Sequence, residues 1–195
     1  SQSNEIPVVV APALHDLQIS QSIAAVVDCR LAKTPLDTTI SDADIVIGLG
    51  PGFTVGKHCH AVVETMRGHR LGRALFDGSA EPNTGSPGVI EGRSSERVIR
   101  ASSHGKIKWT AAIGDWVEQG DAFGTIHSVP QTSVTAPFSG MIRGLILGGS
   151  IVSEGLKIAD LDPRNDPSAC SQISDKALAI GGGVVEAVCR LSSSK

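Results

Sequence analysis

A repeat does most to limit what this chain can fold into. Residues 101–126, ASSHGKIKWTAAIGDWVEQGDAFGTI, lie over residues 136–161, APFSGMIRGLILGGSIVSEGLKIADL, at an offset of thirty-five positions. Gly105 falls on Gly140, Ile107 on Ile142, Lys108 on Arg143, Gly114 on Gly149, Val117 on Val152, Gly120 on Gly155 and Ile126 on Leu161. Each copy reads as short strands broken by glycine turns, and neither could bury its apolar face alone. Two copies closing on each other predict a small all-β sandwich over residues 93–162.

That pattern resembles the biotinyl/lipoyl barrel-sandwich fold, in which two such halves meet at a hairpin. The resemblance implies that a carrier member would present a lysine at the hairpin apex to accept its prosthetic group. Here the connection is HSVPQTSVTAP (127–137), Pro130 occupies the apex region, and no lysine occurs between Lys108 and Lys157. No covalent biotin or lipoate is therefore expected, and the module reads as a fixed structural or docking element.

The chain before the repeat follows a different rhythm. PVVVAP (7–12), AAVVDC (24–29) and ADIVIG (43–48) are short β-branched runs that predict strands. Between the first two, Ala13, Leu17 and Ala24 would share one helical face and Ile19 and Ile23 another, a helix without a single apolar stripe. Strand, helix, strand, connection and strand predict an α/β domain over 1–92 with a mainly parallel sheet. Ligands of such sheets sit just past the strand C-termini. That draws attention to Asp28, Arg30 and Lys33 after the second run, with a solvated turn and a surface ion pair as the alternative reading.

After the third run comes IVIGLGPGFTVGK (45–57), with Gly48, Gly50 and Gly52 in alternation and Lys57 as a cation that could meet an anion. A phosphate loop of the form GxxxxGK needs Ser or Thr next, so that a hydroxyl reaches magnesium. Five residues separate Gly50 from Gly56 here, and His58 follows Lys57. A dinucleotide GxGxxG fails as well, because the spacing is GxGxG. HCHAVVETMR (58–67) favours a strand, with LGRALFDG (71–78) as a second arm, so no helix dipole would back the loop. Two readings stand: an anion-binding turn, or a structural turn that needs positive φ.

His58 and His60 would share one face of that strand and Glu64 could add an oxygen, but two histidines are not a metal site. No metal is therefore assigned, and His58 and His60 remain weak candidates. EPNTGSPG (81–88) is dense in turn formers and either links domains or lines a site, with Glu81 and Asn83 as its ligand-capable groups. At the C-terminal end, Ser174 and Asp175 open a helix whose apolar residues Ala177, Leu178, Ile180, Val184, Val185 and Val188 are interrupted by Gly181, Gly182 and Gly183. Each helical glycine costs about 1 kcal/mol relative to alanine. Either another element packs closely there, or the helix breaks and offers Gly181 and Gly182 to a ligand. The loop and helix over 163–195 are expected to pack back on the α/β domain.

Composition narrows the function. A net charge of −3 in 195 residues, with 3% aromatic residues and no tyrosine, gives neither the basic surface nor the stacking platforms of a nucleic-acid binder. Four dispersed cysteines with no CxxC fit a reduced compartment, and neither a bilayer-length apolar run nor a secretory signal is evident. The expectation is a cytoplasmic protein without nucleic-acid or membrane partners. No Ser/His/Asp or Cys/His constellation can be assembled, so no catalytic residue is assigned.

DCRLAK, VIGLGPGFTVG, HAVVETMRGHRLGR, GSAEPNTGSPG, SERVIRA, RGLILGG, DPR and ISDKALAIGGGVVEAV, in this order from Ile6 to Val188, resemble the accessory proteins of selenium-dependent molybdenum hydroxylase systems, the YqeB family. The resemblance implies an accessory or maturation factor that binds a molybdenum hydroxylase or a cofactor intermediate. Family members carry a further N-terminal segment with a Rossmann-like glycine fingerprint that this chain does not contain, so nucleotide functions there are not carried over. The family more often has aspartate or another small residue where His58 and Cys59 stand, which weakens a metal role. Beside this reading stand an enzyme acting on a phosphorylated or nucleotide-bearing small molecule and a docking scaffold. The partners to expect are a molybdenum hydroxylase, an anionic small molecule and further copies of the chain.

Overall fold

The computed structural model describes residues 6, 8–10, 16, 23–34, 36–84 and 91–193. The chain divides into two compact units, one combining residues 1–83 with 175–195 and the other spanning 84–174. The described secondary structure is mostly β, with one α-helix, in agreement with an α/β plus β architecture.

In the first unit, β1 (Ala25–Asp28), β2 (Ile45–Leu49), β3 (Ala61–Val63) and β4 (Ala74–Leu75) form one sheet in that order. β1, β2 and β3 run parallel and β4 turns back antiparallel to β3. β2 is buried throughout, as its unbroken apolar sequence IVIGL demands of a strand covered on both faces. Ile45, Ile47 and Leu49 point to one side with Ala61 and Val63; Val46 and Val62 point to the other, against Phe53, Cys59 and Ala80.

The first of these faces is covered by α1 (Asp175–Ser193). Its Ile180, Val184, Ala187, Val188 and Leu191 fall at helical spacing and form the buried stripe. Asp175 in its first turn and Arg190 in its last both suit the helix dipole. The helix runs unbroken through the glycine triplet, and close packing explains it at one position. A Cβ on Gly183 would collide with the Gly72 carbonyl oxygen and lie 2.9 Å from Val63 Cγ1, whereas Gly181 and Gly182 face open space. The alternative of a helix break offering Gly181 and Gly182 to a ligand is thereby corrected: their N–H groups lie inside a continuous helix.

The strand expected over 7–12 is absent at the described residues 8–10, where Val8, Val9 and Val10 are exposed. Flanking prolines cannot donate to a ladder, and β-branched composition alone does not supply a partner strand. The helix expected between Ala13 and Ala24 lies outside the described residues except at Asp16, Ile23 and Ala24, where no α-helix is found.

The second unit holds β5 (Val98–Arg100), β6 (Gly105–Trp109), β7 (Trp116–Val117), β8 (Ala122–His127), β9 (Thr132–Thr135), β10 (Gly140–Leu145), β11 (Ile151–Val152) and β12 (Lys157–Asp162). The strands fall into two sheets, ordered β5-β12-β10-β7 and β11-β6-β8-β9. β6, β7 and β8 map onto β10, β11 and β12 at the thirty-five-residue offset, and β5 maps onto β9. The halves therefore interleave: each sheet takes two strands from either copy, in equivalent order. The turns repeat too, with positive φ at Gly114 and Gly149 (98° and 87°) and at Gly120 and Gly155 (90° and 80°). Gly114 N–H donates to the Ile142 carbonyl and Gly149 N–H to the Ile107 carbonyl, both at 2.8 Å. Ile107, Phe123, Ile126, Ile142, Ile158 and Leu161 fill the core between the sheets, which do not close into a barrel.

Candidate functional site

The C-terminal ends of the parallel strands in the first unit bring three loops together. After β2, Gly50 takes φ +94° and its N–H donates to the Val63 carbonyl at 3.1 Å. Gly52 donates to the Ala32 carbonyl at 2.8 Å, and a Cβ there would stand 2.6 Å from that oxygen and 2.9 Å from the Thr34 carbonyl. Gly48 is glycine because the Phe53 ring lies directly on its Cα. All three glycines are thus used for internal packing, and the N–H groups of Gly50 and Gly52 are already donated. As a phosphate cradle built from backbone donors, the loop is corrected to a structural turn.

The polar side chains of the same edge divide into anchored and open ones. Asp28, at the end of β1, is buried and accepts the Arg30 backbone N–H and Arg30 Nε, each at 3.0 Å, and the Thr38 hydroxyl at 2.6 Å. Burial alone would raise its pKa, but these hydrogen bonds outweigh it and hold the carboxyl down at about 2. Arg30 also pairs with Asp37 at 2.7 Å. Asp28 and Arg30 are therefore spent on each other and on the 30–38 loop.

Glu64 follows β3 and is wholly buried, with no ion pair among the described residues. Its carboxylate accepts the backbone N–H groups of Thr65 at 2.7 Å, Met66 at 2.8 Å and Glu81 at 2.8 Å. Those three donors make it a fastening between the β3 end and the start of the EPNT segment. Glu81 itself pairs with Arg70 at 2.8 Å, and Asn83 is exposed.

The remaining charged side chains of this edge are mainly cationic. Lys33 is exposed and sits between Ala32 and Thr34, whose carbonyls cross Gly52. Arg67 forms a two-pronged pair with Asp175, at 2.6 and 2.9 Å. Lys176, one residue into α1, is half-buried; burial lowers its pKa, the charges of Arg67 and Lys33 lower it further, and Glu64 opposes them. Neither Lys33 nor Lys176 has a carboxylate ion-pair partner among the described residues. The arrangement can attract and hold an anion by side-chain charge, and a lysine with a lowered pKa loses its proton more readily than a surface one.

Lys57 does not belong to this group. β2 and β3 are parallel, so the chain after Gly52 must return along the sheet, and Lys57 stands in an exposed turn at the strands' N-terminal end, away from Gly50. His58 and His60 are not aligned on one strand face. His58 Nδ1 accepts the Thr54 N–H and His60 Nδ1 the Val46 N–H, each at 3.0 Å, so both rings serve the backbone. Among the described residues no cluster of three or more metal-ligating side chains occurs. Arg67 escaped the sequence reading, since nothing in sequence order places the start of the C-terminal helix beside the end of β3; Lys176 is visible there only as a charge at the entrance of that helix.

No helix among the described residues is long and apolar enough to cross a membrane. No family model matches the chain. Among solved structures, an aspartoacylase family protein from Mesorhizobium loti is similar with a TM-score of 0.32 and 19% identity, covering 37% of this chain and 27% of that one. The urea carboxylase of Kluyveromyces lactis is similar with a TM-score of 0.33 and 24% identity, covering 44% of this chain and 7% of that one. The Escherichia coli K12 protein YqeB, itself described as uncharacterised, is 46% identical over 186 residues, which are 95% of this chain and 34% of that protein. The chain thus spans about a third of the length of the curated relative it matches, and over that third it is similar to YqeB.

Proposed function

We propose that this chain is the anion-binding part of an accessory factor for molybdenum hydroxylases of the selenium-dependent type, holding a cofactor intermediate or other anionic small molecule at the C-terminal edge of its parallel sheet. The observation that carries the binding reading is the convergence of Lys33, Arg67 and Lys176 where the β1, β2 and β3 loops meet, with Lys176 partly desolvated by its surroundings. Lys33 and Lys176, without ion pairs among the described residues, give this strand C-terminal edge its attraction for an anion, and the Asp175 carboxylate on Arg67 is the group an incoming anion would displace. The association with molybdenum hydroxylases rests on the ordered motifs shared with the YqeB family.

Binding is read as a rise in the unfolding temperature of the chain with inorganic phosphate, nucleotides, molybdate or a pterin phosphate. A ligand at a hundred times its Kd adds about 2.7 kcal/mol by mass action. The double substitution Lys33→Gln with Lys176→Gln is expected to abolish the shift, and Lys57→Ala to leave it intact. A shift that survives the first variant, or no shift across the panel, overturns the proposal.

A further inference from the structure

The internal repeat makes the two sheets of the second unit equivalent, so their outer faces can be compared residue by residue. On one, Met141, Arg143, Asp160 and Asp162 point away from the core; on the other, the same four positions are Lys106, Lys108, Thr125 and His127. Register agrees as well, since Met141 stands opposite Asp162 and Lys106 opposite His127. Their fates differ sharply. Met141 and Asp162 are fully buried although they face outward, because the chain that follows β12 folds over them. Cys170 Sγ lies 3.8 Å from Met141 Sδ, and Arg164 grips Asp162 at 2.6 Å.

The matching face, built by β11, β6, β8 and β9, has no such cover among the described residues. Lys106, Lys108 and His127 are exposed, Ser133 and the 64% exposed Ile151 lie beside them, and neither lysine has an ion pair among the described residues. The four strands GKIKW, AFGTIH, TSVT and IV contain no aspartate or glutamate. Its two aromatic rings, Trp109 and Phe123, stack on each other toward the core rather than outward, so the face offers no platform for bases.

We infer that this uncovered face docks an acidic, extended protein segment of a partner, much as residues 163–174 cover its twin. Carboxylates of the segment meet Lys106, Lys108 and His127, hydroxyls of Thr125 and Ser133 supply neutral hydrogen bonds, and an apolar side chain of the segment rests on Ile151. Charge decides the class of partner, because a face whose strands carry two lysines and no carboxylate repels a basic segment and attracts an acidic one.

The test uses the whole chain and a fluorescein-labelled octapeptide alternating glutamate with valine and threonine, followed by anisotropy at low ionic strength. Saturable binding is expected, weakening as salt is raised. Lys106→Glu with Lys108→Glu should reduce affinity about tenfold or more, while unchanged tryptophan fluorescence verifies that the sandwich is folded. The same variant should keep its thermal response to inorganic phosphate, and Lys33→Gln with Lys176→Gln should keep the peptide, which separates this face from the edge site of the first unit. Absence of peptide binding, binding untouched by the Lys106/Lys108 variant, or tighter capture of oligodeoxythymidylate than of the peptide overturns the inference.

Discussion

Both units fasten a strand end with the same three-residue device, D-x-R, and use it to opposite effect. Asp28-Cys29-Arg30 follows β1, and Asp162-Pro163-Arg164 follows β12. In each, the aspartate accepts the arginine backbone N–H at 3.0 Å and the guanidinium through both its Nε and its Nη2. Around that shared core the partners are inverted. In the first unit one guanidinium holds two carboxylates, Asp28 and Asp37, and so binds the 30–38 loop to the sheet edge. In the second, one carboxylate holds two guanidiniums, Arg164 and Arg143, and so ties the covering segment back to β10. A local motif therefore fixes the geometry of a turn, while its neighbours decide what the turn anchors.

The inversion predicts unequal costs. Asp162 is 0% exposed, and its replacement by asparagine leaves two arginines, 40% and 25% exposed, facing a neutral group. We expect Asp162→Asn to cost about 3 kcal/mol, since the buried carboxylate serves two guanidiniums and a backbone N–H at once. Asp28→Asn leaves Arg30 half in solvent and still paired with Asp37, so about 1 to 2 kcal/mol is expected. The measurements separate cleanly. Both tryptophans of the chain lie in the second unit, so their fluorescence follows Asp162→Asn, and the 222 nm ellipticity of α1 follows Asp28→Asn. Equal losses would show that the two devices do the same work and would break the comparison.

Acid tests both at once. The guanidinium of Arg164 holds the Asp162 carboxyl at about 2 against the pull of burial, and Asp28 is held at about 2 as well. Both folded values lie below those of the unfolded chain, so their contribution is complete above roughly pH 4 to 5 and is lost as pH falls toward 2. Each accounts for about 2 kcal/mol over that window. Urea titrations from pH 6 down to pH 2 are expected to show stability falling in both units, with the slope flattened in the fluorescence signal of Asp162→Asn alone. An unchanged slope in that variant would mean that other carboxylates carry the acid response.

What could be foreseen differs between the units for a physical reason. The repeat was legible because the same local requirement, a glycine with positive φ after a strand, recurs at Gly114 and Gly149 and again at Gly120 and Gly155. The interleaving of the halves was not, since strand order within a sheet depends on pairing between distant residues. β2 and the β3–β4 arm could be read from their apolar runs, but the two ends of the sheet could not be assigned until the parallel β2–β3 pairing sent Lys57 to one and left Lys33 at the other. The glycine triplet of α1 was visible as an anomaly; only the Gly72 carbonyl, contributed by a distant loop, shows that Gly183 is the member the packing requires. D-x-R was noticed as two family motifs, and its double occurrence at strand ends was the unused signal that Asp28 is an anchor rather than a ligand.

The smallest expected effect concerns the one donor that the first device has and the second lacks. Thr38 donates its hydroxyl to Asp28 Oδ2 at 2.6 Å and accepts from Arg30 Nη2 at 2.9 Å, closing the ring of bonds over the end of β1. Thr38→Val keeps the shape and removes both bonds, so a loss of about 1 kcal/mol is expected in the ellipticity-detected unfolding of the first unit. The Asp28 pKa should rise, because the hydroxyl is among the bonds that hold it down, and the acid limb of the stability curve should move to higher pH. Tryptophan-detected unfolding should stay where it is. A loss as large as that of Asp28→Asn would mean that the loop is held by the hydroxyl and not by the shared guanidinium, and the contrast between the two devices would then lie in Thr38 alone.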